Sequence, residues 1–193
     1  MHRLAPGQRY AVERSCTRCG SIGHGAIRVT GARVWASVSR GDGWLVAAGC
    51  DTGPVGVDVE PAGGVCAAVV SQVALHPLES VADDLQATRI WVRKEAVLKA
   101  FGLGLTVDPR RVRLGGPDEP PRVLETGLDS GPAAGPVTGR AAGPVTGRAG
   151  FGVPQRQVRL MDLALPEGLC GAVAVLADRA VELSLVTAAA ADG

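Results

Sequence analysis

Along the first third of the chain, apolar residues recur at every second position or in short unbroken runs, the spacing of strands rather than helices. "ARVWASVS" and "GWLVAAGC" flank the turn sequence "RGDG" and predict a β-hairpin. "PVGVDVE" predicts a third strand, and ahead of the hairpin "QRYAVERSCTRC" predicts a short helix. After Gly63 and Gly64, "VCAAVVSQVAL" has helical spacing and stops at His76-Pro77, because the residue before a proline avoids helical geometry. "PLESVADDLQATRIWVRKEAVLKAFG" predicts one or two helices, with Asp83 and Asp84 early and the cations late, as the helix dipole prefers. Gly102 and Gly104 mark its end. "RRVRLGG" and "PRVLETG" around "PDEP", and "RQVRLMDLAL" and "LCGAVAVLA" around "PEG", predict two further hairpins, and the alanine-rich end is expected to fray.

Strands and helices interspersed with hairpin connections define an α+β class with antiparallel sheet. A length of 193 residues and 46% hydrophobic content suffice for a buried core in one domain or two small ones. "AAGPVTGR", residues 133–140, recurs at 141–148; an eight-residue copy rich in Gly, Pro and Ala is too short for a solenoid and reads as a flexible loop expansion at about 127–154.

Charge narrows the partners. A net charge of +1 and an aromatic fraction of 3% give neither the field nor the stacking surface for nucleic acid, and no basic face for a membrane. The longest apolar runs fall far below the roughly 20 residues of a membrane-spanning helix, and the N-terminus lacks the apolar centre of a signal peptide. A cytoplasmic protein is expected. Five cysteines, an odd number, fit reduced thiols better than a disulfide framework. Cys16, Cys19 and His24 have zinc-ligand spacing, with Cys50, Cys66 or His76 as a fourth ligand if the fold brings one close; the alternative is plain reduced thiols.

The candidate chemistry lies in two places. In "GVDVE" strand alternation sends Asp58 and Glu60 to one face and Val57 and Val59 to the other, so two like charges share a face that must be wet or hold a cation. In "WVRKEAVLK" the chain has its only lysines, Lys94 and Lys99, every other basic residue being arginine. Codon bias accounts for the arginines; a functional reading is that this segment wants compact, titratable point charges. Trp91, Glu95 and Lys99 stack on one helix face, and by itself Glu95 to Lys99 describes a surface ion pair worth about 0.3–0.5 kcal/mol. Considered with the strand, Glu95 supplies a third carboxylate to Asp58 and Glu60, an all-oxygen set suited to a hard dication beside two ammonium groups.

The paired motifs resemble those of the Sfp-type 4′-phosphopantetheinyl transferases, roughly G-[IV]-D-[IV]-E and W-x-x-K-E-[AS]-x-x-K-x-x-G-x-G-[LF]. Gly56, Asp58, Glu60, Trp91, Lys94, Glu95, Ala96, Lys99, Gly102, Gly104 and Leu105 fall in place. "ALHPLE" is similar to the family segment between the motifs, "ASVSRGDGW" to its S-x-S-H segment, and "CTRCGSIGHGAIR" to a C-x-x-C-G-x-x-H-G-[KR]-P-R stretch. The resemblance implies a pseudo-twofold α+β fold of two subdomains, here about 1–55 and 56–193, each with a small antiparallel sheet and a packed helix. It implies transfer of the 4′-phosphopantetheine arm of coenzyme A to a serine of an acyl or peptidyl carrier protein, the chemistry that serves polyketide or nonribosomal peptide biosynthesis. Asp58, Glu60 and Glu95 would hold Mg²⁺, Glu95 would accept the serine proton, Lys99 would serve the leaving phosphate, and Lys94, Ser39, Arg40 and Arg28 would contact coenzyme A. Trp91 would pack beneath the helix, and a monomer is expected.

The sequence departs from the pattern in its first half. Arg40 and Gly41 stand where the S-x-S-H segment has histidine and then serine, and Ala26 and Ile27 stand for the cation and proline of G-[KR]-P, leaving Arg28 nearby. The first subdomain is short and reads as incomplete. These departures favour a second reading, a non-catalytic descendant that binds coenzyme A or a carrier protein; a third is a structural domain with a surface salt-bridge network. Arg110, Arg111 and Arg113 could attract an acidic carrier or form an ordinary solvated face.

Overall fold

The computed structural model describes residues 11–16, 19–22, 25–128, 157–178, 181 and 187–189. The chain begins with four antiparallel strands, β1 (Ala11–Ser15), β2 (Ala26–Thr30), β3 (Trp35–Gly41) and β4 (Trp44–Cys50), paired in that order. β3 and β4 form the expected hairpin, and its tip has Asp42 at φ 48° and Gly43 at φ 74°, the positive values that a tight two-residue turn requires. The expected N-terminal helix is instead β1. Its residues pair from Ala11 opposite Thr30 to Ser15 opposite Ala26, so cross-strand pairing overrides local helical preference. Within the stretch expected to fray, Thr187–Ala189 forms β10 against β4, completing the five-stranded sheet, and residues 190–193 lie outside the described residues.

A second sheet holds β5 (Val55–Pro61), β9 (Leu169–Ala177) and β8 (Gln157–Asp162), with β9 in the middle. Between β5 and β8 come helices α1 (Ala67–Val73) and α2 (Asp84–Ala100), then the ribbon of β6 (Val112–Leu114) and β7 (Val123–Thr126). α2 is a single helix. Asp83 caps it by accepting from the Gln86 N–H at 2.8 Å, and Gln86 Oε1 in turn accepts from the Ala82 N–H at 2.8 Å. Gly102 at φ 73° follows its C-terminal end. The repeated segment 133–148 and most of the expected loop lie outside the described residues, as does His24.

The second sheet is covered on both faces, which explains the unbroken apolar run of β9. Val55, Val57 and Val59 of β5 and Val173 and Val175 of β9 pack against Val46, Cys50 and Trp35 of the first sheet. On the other face, Ala172, Ala174 and Leu176 pack against α1, α2 and β6. Helix and strand meet most closely at Gly56, where an added Cβ would fall 2.0 Å from the Ala96 carbonyl oxygen and 2.4 Å from the Ala100 nitrogen. The first sheet reaches β5 through a polar seam. The Val57 N–H donates to Ser37 Oγ at 3.1 Å, and a Cβ on Gly41 would meet the Val59 carbonyl oxygen at 2.7 Å.

Gly56→Ala should therefore cost at least about 1–3 kcal/mol by overpacking. Chemical denaturation checks this: a lowered midpoint is expected, and a variant as stable as the parent would mean that α2 does not seat on β5 at Gly56.

Candidate functional site

The seat at Gly56 decides what faces what. With α2 against β5, Asp58 and Glu60 on the helix-facing side of the strand meet Glu95 and Lys99 on the strand-facing side of the helix. Asp58 and Glu95 are buried, at 4% and 7% exposure, and Glu60 is half-buried. The Lys99 ammonium donates to Asp58 Oδ1 at 2.6 Å, to the Val57 carbonyl oxygen at 3.1 Å and to Ser39 Oγ at 3.4 Å. Ser39 Oγ donates to the same Asp58 oxygen at 2.8 Å. Asp58 Oδ1 thus accepts twice, whereas Asp58 Oδ2 and Glu95 Oε1 are buried with no hydrogen-bond partner among the described residues.

Lys99 also closes an exposed strand edge. Val57 turns its N–H and carbonyl away from β9, and these are taken by Ser37 and Lys99. The cation expected beside the acidic strand is therefore present, but the surface pair from Glu95 to Lys99 is not what forms: Lys99 crosses to Asp58. Arg93, Lys94 and Glu95 are all buried, which removes the reading of this helix as a solvated salt-bridge face.

Burial and the neighbouring Asp58 carboxylate push the Glu95 carboxyl up to about 7, with Lys99 opposing and Glu60 adding to the rise. Glu60 is raised by the same causes, desolvation first and then Asp58. Three carboxyl groups in partial burial beside a single ammonium make a site short of positive charge. The donors are all oxygen and two of those oxygens are unpartnered, a set that fits a hard dication such as Mg²⁺. The described residues contain no group of three or more His, Cys, Asp or Glu side chains already gathered as a metal cage, whether around Asp58, Glu60 and Glu95 or around the Cys16–Cys19 segment.

Lys94 departs from expectation. It is fully buried on another side of α2, donating to the Val112 carbonyl at 2.6 Å and the Pro109 carbonyl at 3.3 Å and pairing with Glu79 Oε2 at 2.7 Å. The two lysines are five residues apart, which turns their side chains roughly 140° from one another about the helix axis, so they cannot serve one site together. With three partners inside the fold, Lys94 is not placed to contact a ligand. Ser39 is in the site, but on Asp58. Arg40 is exposed, and strand alternation puts it on the opposite face of β3 from Ser39; Arg28 is partly buried on β2. Trp91 packs against the core beneath the helix, as expected.

Two residues escaped the sequence reading. Glu79 accepts from the His76 N–H, the Leu114 N–H and Lys94, each at 2.7 Å. Arg93, 2% exposed, makes a two-pronged pair with Asp162 at 2.9 and 2.7 Å and donates to the Gly116 and Glu119 carbonyls. The available signal was their proximity to the helix motif, which does not reveal partners as distant in sequence as Leu114 for Glu79, 35 residues on, and Asp162 for Arg93, 69 residues on.

Residues 54–134 match the family model of the 4′-phosphopantetheinyl transferase superfamily. The matched stretch spans β5, both helices and the β6–β7 ribbon, and so includes all of Asp58, Glu60, Glu95 and Lys99. No curated protein matches the chain.

The raised Glu95 carboxyl sets a pH dependence. Below about 4.5 the folded and unfolded chains both hold its proton, and between about 4.5 and about 7 only the folded chain does. Unfolding releases that proton, so this contribution to stability falls as pH rises through the window and is flat above it, a loss on the order of 2–3 kcal/mol. In metal-free buffer, Glu95→Gln should be more stable than the parent at pH 8 and similar to it near pH 4.5. Equal denaturation midpoints at both pH values would place Glu95 in a solvated setting.

Proposed function

We propose that the protein is a Mg²⁺-dependent 4′-phosphopantetheinyl transferase that moves the phosphopantetheine arm of coenzyme A to a serine of an acyl or peptidyl carrier protein. The observation that carries this reading is Glu95, a buried carboxyl held near 7 with an unpartnered oxygen, beside Asp58, Glu60 and Lys99 in the matched stretch. A serine hydroxyl is a weak nucleophile that needs a base, and a carboxylate poised near the working pH is an effective one.

In the proposed reaction, Glu95, directly or through water, accepts the serine proton as the serine oxygen forms its bond to phosphorus. The bond from that phosphorus to the pyrophosphate bridging oxygen breaks, and adenosine 3′,5′-bisphosphate leaves. Lys99 stabilises or protonates the departing phosphate; the ammonium is already held at the site by Asp58 and the Val57 carbonyl. Asp58 through Oδ2, Glu60 and Glu95 would hold Mg²⁺, which when bound neutralises phosphate charge. Ser39 orients Asp58, and Arg28, opposite Trp35 on Ser39's face of the sheet, supplies positive charge for the coenzyme A phosphates, whereas Arg40, on the outer face of β3, could reach only a phosphate that extends beyond the sheet.

The test is incubation with coenzyme A, Mg²⁺ and an apo carrier protein, followed by mass measurement of the carrier. A gain of one phosphopantetheine is expected. No gain on several carriers that a control transferase modifies would overturn the enzyme reading, and coenzyme A binding without transfer would mark a non-catalytic binder. Glu95→Gln should lower turnover by about 10²–10⁴-fold and Lys99→Met by about 10²–10³-fold, each with the fold intact by circular dichroism. A Glu95→Gln variant of full activity would remove Glu95 from the mechanism.

A further inference from the structure

The strand-facing surface of α2 is smooth. Around the closest approach it rests on Gly56, Ala172 and Ala174, with Leu176 the larger side chain on the same sheet face, and such a low surface fixes distance more firmly than rotation. Successive helix residues point about 100° apart, so a modest turn of α2 would carry Glu95 away from Asp58 while preserving the apolar contact. Polar tethers set the rotation: Lys99 reaches Asp58 and the Val57 carbonyl, Arg93 reaches Asp162 and the Gly116 and Glu119 carbonyls, and Lys94 reaches Glu79 on another side of the helix.

We propose that the Glu79–Lys94 pair is a positioning device that fixes the rotation of α2 and thereby holds Glu95 against the acidic strand. This rests on the reading of Glu95 given above. Lys94 adjoins Glu95 on the helix, and its ammonium reaches three acceptors on two separate stretches of chain: Glu79 Oε2 on one, and the Pro109 and Val112 carbonyls on the other. Glu79 is itself immobilised, with Oε2 accepting from the His76 N–H and Oε1 from the Leu114 N–H. Both side chains are sealed from water, at 0% and 5% exposure, so any rotation of α2 strips an ammonium of partners where no water can replace them. Arg93 ties the same helix to β8 and Lys99 ties it to Asp58, but Asp162 is 46% and Lys99 27% exposed, which makes those two tethers softer than the sealed pair. A buried pair of this kind is weak evidence for added stability, and in some proteins such a pair instead selects one arrangement. It also gives a role to the "ALHPLE" segment and to the lysine that the transfer chemistry leaves unused.

The test uses the full chain with the double substitution Glu79→Leu/Lys94→Met, which replaces the pair by apolar groups of similar size, and with Glu79→Gln as a milder variant should the first fold poorly. The expected result is kcat lowered by about 10–100-fold in the double variant, in the same direction but less in Glu79→Gln, with KM for coenzyme A unchanged within about twofold. The second readout needs no transfer: the nuclear Overhauser contact between the Gly56 α-protons and the Lys99 β-protons should weaken in both variants. An intact contact together with unchanged kcat would overturn the proposal, as would a raised KM with unchanged kcat, which would make Lys94 a ligand contact. If the parent protein modifies no carrier, the transferase reading fails, and the Gly56–Lys99 contact alone decides whether the pair positions the helix.

Discussion

The contact on which the rest depends is the seat of α2 against β5 at Gly56. Helix and strand backbones approach there to a distance that leaves no room for a Cβ. Ala172 and Ala174 on the neighbouring strand continue the low surface, and the larger valines of β5 and β9 all point the other way, into the first sheet. Dispersion and apolar burial pull the helix down; the missing side chains set how far it comes. Close approach brings the acidic side of one element within reach of the charged side of the other, and it excludes much of the water that would otherwise weaken their interaction.

Excluding water makes every unpaired charge expensive, and the fold answers this differently on the two sides of α2. Around Lys94 all three ammonium protons have partners within the protein. Around Glu95 the polar groups are incompletely matched: among the described residues three carboxyl groups share one ammonium, and two carboxyl oxygens have no partner. Complete pairing is characteristic of structure, whereas a deficit of positive charge is characteristic of a place meant to receive it. The same contrast explains why Glu95 keeps its proton to about 7 while remaining buried.

The first sheet enters the site through side chains rather than strand pairing. β3 meets the free edge of β5 with Ser37 and Ser39, one taking a backbone N–H and the other donating to Asp58. Gly41 permits a close approach at the far end of the same seam. The half of the chain with the weakest motif resemblance thus supplies a hydrogen bond that orients the best-conforming carboxylate. This also explains why Ser39 and Arg40, adjacent in sequence, part company: alternation sends Ser39 inward to Asp58 and Arg40 outward to solvent.

By itself the sequence determined the hairpins at 32–50, 112–126 and 157–177, helix over the segment ending at Gly102 with its acidic start and glycine stop, and the pairing of "GVDVE" with "WVRKEAVLK" as the candidate site. These rest on local rules: period-two and helical spacing, turn residues, capping, and fixed motif spacing. It misjudged Ala11–Ser15 and Thr187–Ala189, because both become strands only by pairing with partners that local propensity does not reveal. It also grouped Lys94 with the ligand contacts. Only the tertiary structure separates the two lysines, because the helix turns one toward Asp58 and the other toward Glu79, Pro109 and Val112, and a side chain's role is fixed by what lies across the space it points into.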